Sequence, residues 1–296
     1  MVRTQSQRRG QVARRSATNP AQTVRAIYRK LSRAWGPQHW WPAVTSFEVV
    51  VGAILTQNTS WANVERALGN LRAAGVLSVD GIRSLKRQEL EQLIRPSGYF
   101  RQKASRLKDF VAFLDMRYSG SLEAMLEQPT PDLRKELVAQ KGIGPETADS
   151  ILLYAGQHPI FVVDAYTRRV LARHDAIPSS ARYDEVRELV EAALQRETWP
   201  PSKESNELHA KRPEAHPPSP MSSASRSGLA QVYNEMHGLF VQLGKHYCSR
   251  RRPKCDVCPL GAMLTRPVKE EMPARSRRAA SGAKPRVSKG PANPQV

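Results

Sequence analysis

The sequence predicts an all-α fold, and three observations carry that prediction. Apolar residues recur at spacings of three and four through most of the chain, as in Leu107, Phe110, Val111 and Leu114. Tight turns punctuated by Gly, Pro, Ser and Asn separate these stretches. Only Ile160–Val163 reads as extended, and four apolar residues do not distinguish a strand from a buried connection.

In chain order the helical patterns are Ala21–Trp35, Phe47–Thr56, Trp61–Ala74, Val79–Leu85, Gln88–Ile94 and Arg101–Tyr118. They continue as Ser121–Gln128, Pro131–Ala139, Pro145–Ala155, Ala165–Arg173, Tyr183–Leu194 and Gln231–Leu243. Pro145 suits a first helical position, where its missing N–H costs no hydrogen bond. No internal repeat is visible.

Three stretches fall outside this pattern. Residues 1–20 and about 266–296 are rich in charge, Ser, Gly and Pro and poor in large apolar groups, so they cannot repay their ordering entropy and read as basic disordered tails. Residues about 200–228 lack apolar periodicity and carry several prolines, the signature of an inserted surface loop. The folded body therefore spans 21–265, and the chain's 40% hydrophobic content is low because part of its length is solvated.

The 296 residues carry 46 Lys and Arg against 27 Asp and Glu, a formal charge of +19. Such a charge attracts a polyanion through counterion release and long-range steering. No acidic residue precedes Glu48, whereas Arg3, Arg8, Arg9, Arg14 and Arg15 do. Nucleic acid is the first partner to expect, although a membrane surface or RNA would also answer to a basic tail. No apolar run approaches the roughly 18 residues that span a bilayer, and no apolar stretch follows the basic N-terminus as in a secretory signal. An intracellular protein of the cytoplasm or nucleoid, with no membrane partner, is expected. The three cysteines, Cys248, Cys255 and Cys258, are odd in number and too close for a disulfide framework, which points to metal ligation.

The sharpest local feature is Lys141-Gly142-Ile143-Gly144 between two helices. Two glycines flanking one apolar residue make a turn from which nothing projects, and the next helix offers free N–H groups and the positive end of its dipole. Such a turn can hold one phosphate; it also serves as an ordinary helix-to-helix turn. Val162-Val163-Asp164-Ala165-Tyr166 follows at short range. Asp164 fits a helix N-cap, which keeps a carboxylate ionised.

The hairpin, the following Asp164, the earlier Thr56-Gln57-Asn58-Thr59 and Cys248-x6-Cys255-x2-Cys258 stand in the order that resembles the helix-hairpin-helix (HhH-GPD) DNA glycosylases of the endonuclease III type. The similarity covers about Thr23 to Leu264, excluding the inserted loop. It implies two helical subdomains, a bundle over about 46–156 and a second unit built from both flanks, with a C-terminal cysteine loop. It implies a monomer that hydrolyses the N-glycosidic bond of a damaged base flipped out of duplex DNA.

Site roles follow from the same resemblance. Asp164 occupies the place of the catalytic aspartate, whose charge would stabilise the oxocarbenium-like sugar. Bifunctional members carry a Schiff-base lysine where this chain has Glu146, and a carboxylate cannot form an imine. A monofunctional glycosylase is expected, with Glu146 in the pocket or simply a favourable acid in the first helical turn. Gln57 resembles the gap-filling glutamine. Trp61 and Tyr166, with Trp40 and Trp41, are candidate base-stacking groups, each of which would serve equally as core packing. Lys141, Gly142, Ile143 and Gly144 would hold the DNA backbone, as would Lys245, Arg250 and Arg251 in a basic run. The adenine-mismatch branch carries an acid where this chain has Gly52, and is disfavoured. The cysteines match three of the four ligands of the family's 4Fe-4S cluster, with Leu264 in the fourth place. A cluster completed by another ligand such as His246, a different metal such as zinc, or a loop kept for packing and DNA contact all remain open.

Alkylated purine is the leading substrate, because the missing lysine, GPETAD and VVDAY resemble the branch that includes 3-methyladenine glycosylases. An oxidised-pyrimidine glycosylase using another lysine as lyase, and a noncatalytic DNA-binding module, are the alternatives.

Overall fold

A computed structural model describes residues 19–200 and 213–268. The N-terminal basic stretch up to residue 18, the first part of the inserted loop and residues 269–296 lie outside the described residues.

Twelve α-helices are formed among the described residues: α1 Pro20–Trp35, α2 Ser46–Leu55, α3 Trp61–Ala73, α4 Val79–Ser84, α5 Arg87–Leu93, α6 Phe100–Tyr118, α7 Leu122–Leu126, α8 Thr130–Val138, α9 Pro145–Ser150, α10 Ala165–Arg173, α11 Tyr183–Leu194 and α12 Gly228–His246. Local chemistry sets most starts. The Asn19 side chain accepts from Ala21 N ahead of Pro20, Thr45 caps Glu48 N, and Ser227 caps Ala230 N. The Ser227 cap places the start of α12 three residues before the periodic pattern. Helix α7 is shorter than predicted, because Ser121 spends its hydroxyl as the cap.

Helices α2 and α12 are buried nearly all round and form the centres of two units. Around α2 pack α3, α6 and α9; around α12 pack α1, α10 and α11. The first and last parts of the chain thus meet in one unit while the middle forms the other. The wider-wound turn Ile151–Ala155, which prolongs α9, contacts both α2 and α12 and joins them. One contiguous core runs through both units.

Tertiary contacts define two further stretches. Ile160–Val163 has no strand partner among the described residues; it is a buried connection in which Phe161 N donates to Glu191 Oε1 at 2.9 Å. The inserted loop is not wholly a surface feature. Its return, 213–227, buries Ser222 and docks on the body: Met221 N donates to Ala43 O at 3.1 Å, and Ser219 Oγ donates to Trp41 O at 3.2 Å. At the other end, Arg266 pairs with Asp175 at 2.6 Å, so the residues just past 265 are tied to α10's end. No helix among the described residues is long and apolar enough to cross a membrane.

Candidate active site

The hairpin is formed by α8, the turn 139–144 and α9. Gly142 has φ +84°, a left-handed conformation that a side chain would strain, and Arg106 packs against the space a Cβ would need. Ile143 turns inward and is 4% exposed, so of the predicted phosphate-holding residues it can offer DNA only its backbone. Lys141 is exposed beside it. Arg134 clamps the motif: its guanidinium takes the buried Asp149 of α9 at 2.7 Å and Asp184 of α11 at 2.8 Å. Charge pairing of this kind fixes how the hairpin faces the second unit.

Gln57 follows the end of α2 and reaches the hairpin. Its Nε2 donates to Gly142 O and to Thr147 Oγ1, both at 2.9 Å, while Arg106 donates to its Oε1. Both ends of the amide are thereby held on the turn expected to grip DNA. Lys103 is buried and donates to Leu55 O at 2.8 Å and Ser97 O at 2.7 Å, joining the Gln57 loop to the loop that ends in Tyr99. Burial first, then Arg106, pushes the Lys103 ammonium down to about 8. Tyr99 is 65% exposed.

Asp164 caps α10 by accepting from Thr167 N at 2.7 Å with Oδ1. Its Oδ2 lies 3.7 Å from His237 Nε2, and the side chain is only 13% exposed. Glu146, at the start of α9, is open to water yet crowded by protein; burial first, and the charge of Asp164 second, push its carboxyl up to about 7, with Arg168 opposing. The two carboxyl groups therefore share one electrostatic environment.

An aromatic cluster connects to Asp164 through Tyr154, which packs on both Trp41 and His237. Trp40 and Trp41 are each 5% exposed, while Trp61 is half-buried, with ring centroids 5.6 Å from Trp40 and 5.0 Å from Trp41. Tyr154 lies behind Trp41 at 5.3 Å. A Cβ at Gly52 would stand 3.1 Å from Trp41 Cζ2, so the residue there is small because Trp41 occupies the space. Tyr166 does not join the cluster: its ring packs on Gly244, and Arg169 lies 5.0 Å over its face. Lys245 is placed differently from Arg250 and Arg251. Its Nζ lies 5.5 Å from the Trp40 ring, and burial lowers its pKa against the pull of Glu65 and Asp164. Its side chain turns toward Trp40, while Arg250 and Arg251 lie on the following loop.

Sequence reasoning missed four residues. Arg106 and Tyr99 carry no motif. His216 comes from the inserted loop and stacks 5.3 Å from Trp40, which periodicity could not foresee. His237 alone left a trace, as an imidazole within a helix, α12, that is otherwise rich in apolar residues.

The cysteine loop falls short of a four-thiolate cluster. Cys248, Cys255 and Cys258 border a cavity of about 10 Å³ whose other walls include Leu243, Leu260 and Leu264. Leu264 supplies no thiolate, and no three His, Cys, Asp or Glu side chains among the described residues are arranged to hold a metal ion. His246 faces an outer groove; the histidine bordering the cavity is the buried His174. Arg173 instead donates to Cys248 Sγ at 3.1 Å, Ser249 O at 2.8 Å and Arg250 O at 3.0 Å, while Arg169 donates to Cys248 O at 2.7 Å. Protein hydrogen bonds thus carry the loop's connection to α10.

Comparison with known proteins agrees with this geometry. Residues 51–196 match the HhH-GPD superfamily of base excision DNA repair proteins. A Methanocaldococcus jannaschii protein that bears the name of a DNA repair glycosylase is 39% identical over 82% of this chain and 96% of its own length. The crystal structure of an H. pylori 3-methyladenine DNA glycosylase bound to 1,N6-ethenoadenine is similar with a TM-score of 0.58 and 29% identity, covering 77% of this chain and 97% of that one. A trapped endonuclease III–DNA covalent intermediate shares the fold with a TM-score of 0.62 at 20% identity, over 83% and 95% of the two chains. With its all-α architecture, its hairpin and the aspartate that follows it, the chain belongs to the HhH-GPD superfamily of base excision DNA repair proteins.

Proposed function

We propose that the chain is a monofunctional DNA N-glycosylase acting on alkylated purines in duplex DNA. One observation carries the reading: in the first turn of α9, where a bifunctional enzyme of this type needs an amine, stands Glu146, a carboxyl that feels the charge of Asp164. In this reaction the electrons of the C1′–N bond leave with the base, and positive charge grows on C1′ and O4′. The Asp164 carboxylate stabilises that charge. Water attacks C1′, and the proton it loses passes to ionised Glu146. A purine alkylated on a ring nitrogen already carries positive charge and departs neutral, so no acid is needed on the base side.

The electron-rich faces of the tryptophan cluster suit a cationic base. The structural neighbour named for 3-methyladenine, solved with ethenoadenine, supports the same class. Gln57 and Tyr99 are our candidates to enter the base stack when the nucleotide leaves it, Gln57 after release from its contacts with Gly142 and Thr147. The hairpin together with Arg250 and Arg251 would hold phosphates.

The test is incubation with duplexes carrying a single 3-methyladenine analogue, ethenoadenine, hypoxanthine, thymine glycol or uracil, scored before and after alkali. Cleavage of the alkylated or etheno-purine duplex only after alkali, lost in Asp164→Asn, is the expected result. Nicking without alkali refutes the monofunctional assignment and directs attention to Lys245, the lysine that feels the charge of Asp164.

A further inference from the structure

We infer that His237 is the positioning residue of Asp164, presenting an Nε2–H to the carboxylate oxygen that the helix cap leaves free. The inference rests on the proposed role of Asp164 in stabilising the sugar cation.

Four observations converge on it. His237 sits at the middle of α12 and is 4% exposed, in a helix whose other neighbours of the ring are aromatic: Tyr154 at 5.8 Å and Phe161 at 6.4 Å between centroids. Its Nε2 is buried without a hydrogen-bond partner and lies 3.7 Å from Asp164 Oδ2. An unpaired N–H in such a place is costly, and a small closure of the gap would satisfy it. Oδ1 is already committed to Thr167 N, so Oδ2 is the oxygen with capacity to spare. Finally, the other imidazole nitrogen, Nδ1, is hydrogen-bonded to the Tyr154 hydroxyl.

That last contact decides the tautomer. Burial holds the Tyr154 phenol in its protonated form. Among the hydrogen bonds of the described residues, its hydroxyl has His237 Nδ1 as its partner. The phenol proton therefore goes to Nδ1, and the proton of a neutral ring is left on Nε2, facing Asp164. Burial also favours the neutral ring, against the pull of Asp164. A neutral donor has a use here that a cation would not: it orients the carboxylate without cancelling the negative charge the sugar cation needs.

The groups that feel Asp164 from the elements packed on it are Glu146, Tyr154, Tyr166, His237 and Lys245.

The experiment compares Asp164→Asn, His237→Leu, His237→Gln and Tyr154→Phe in single-turnover excision from duplex DNA methylated with dimethyl sulfate. Duplex affinity and thermal melting are measured for each variant. His237→Leu is expected to slow excision by about tenfold to hundredfold with duplex affinity unchanged. His237→Gln, whose amide nitrogen reaches the region of Nε2, recovers most of the rate, and Tyr154→Phe loses about tenfold through a misassigned tautomer. Equal losses in His237→Leu and His237→Gln overturn the proposal, as does a wild-type rate in a well-folded His237→Leu. Should His237→Leu not fold, the contrast between His237→Gln and Tyr154→Phe gives the same decision. Full activity of Asp164→Asn instead removes the catalytic reading on which the inference rests.

Discussion

Glu146→Gln is the perturbation that separates a catalytic base from a helix-start acid. The Glu146 carboxyl is displaced from an ordinary 4.5 to about 7. With that value, roughly one Glu146 in eleven is ionised at pH 6 and roughly ten in eleven at pH 8, so a rate that needs the ionised form rises about tenfold between them. Removing a positioned base costs about 100-fold or more. Single-turnover excision from an alkylated duplex, stopped with alkali across pH 5.5 to 9, should show the rise in the parent and a low, flat profile in Glu146→Gln. A variant that keeps both the rate and the rise refutes the base assignment and leaves Glu146 as a first-turn acid. A second arm tests the adjacency. Because the Asp164 charge is one cause of the displacement, Asp164→Asn should move the Glu146 titration to lower pH, read from carboxyl carbon shifts by NMR. The sign for stability follows from linkage. A carboxyl whose folded pKa is raised keeps its proton in the native state while the unfolded chain releases it. Its contribution is full below about 4.5 and is lost as pH rises to about 7. Glu146→Gln should therefore gain in Tm over the parent at pH 8 and not at pH 4.

Other outcomes can be stated briefly. Glu146→Lys should form a borohydride-trappable adduct with a substrate duplex, and its absence would show that position 146 does not reach C1′. Gly142→Ala, which must hold φ +84° beside Arg106, should cost about 1–2 kcal/mol and weaken binding to undamaged duplex, whereas Gly144→Ala, with open space at its Cβ, should be tolerated; equal effects would deny the turn its special geometry. Arg250→Ala and Arg251→Ala should weaken all duplexes alike, each flattening the salt slope by about one unit, and a base-selective loss would count against phosphate contact. Leu71→Ala, fully buried between helices, should cost about 2–5 kcal/mol in urea unfolding. Arg173→Met should lower Tm more than Cys255→Ser, because the guanidinium holds three groups of the cysteine loop; the reverse order, with iron or zinc copurifying, would show that metal holds the loop.

The gap between reading and structure is instructive at particular residues. The amphipathic helices were legible to within a few residues, because burying one face of a helix imposes a local period that a single chain displays. Arg106 and Tyr99 had no such signature: the first acts through Gln57, which stands 49 positions away, and the second stands out only because the fold leaves its ring in solvent. Lys245 looked like the start of the basic run ending at Lys254, yet the end of α12 directs it over Trp40. The seat of the Tyr166 ring on α12, made by the missing side chain of Gly244, is likewise a tertiary contact that no local pattern displays.

By itself the sequence determined the helical class, the hairpin with its two glycines, the N-cap position of Asp164 and the absence of a fourth cysteine, all of which depend on residues near one another in the chain. Tertiary structure alone decided that Glu146 shares the field of Asp164, that His216 returns from the inserted loop to Trp40, and that His237 faces the carboxylate from α12. Those relations join residues from 18 to 176 positions apart, and only tertiary packing sets the distances and the desolvation on which their chemistry depends.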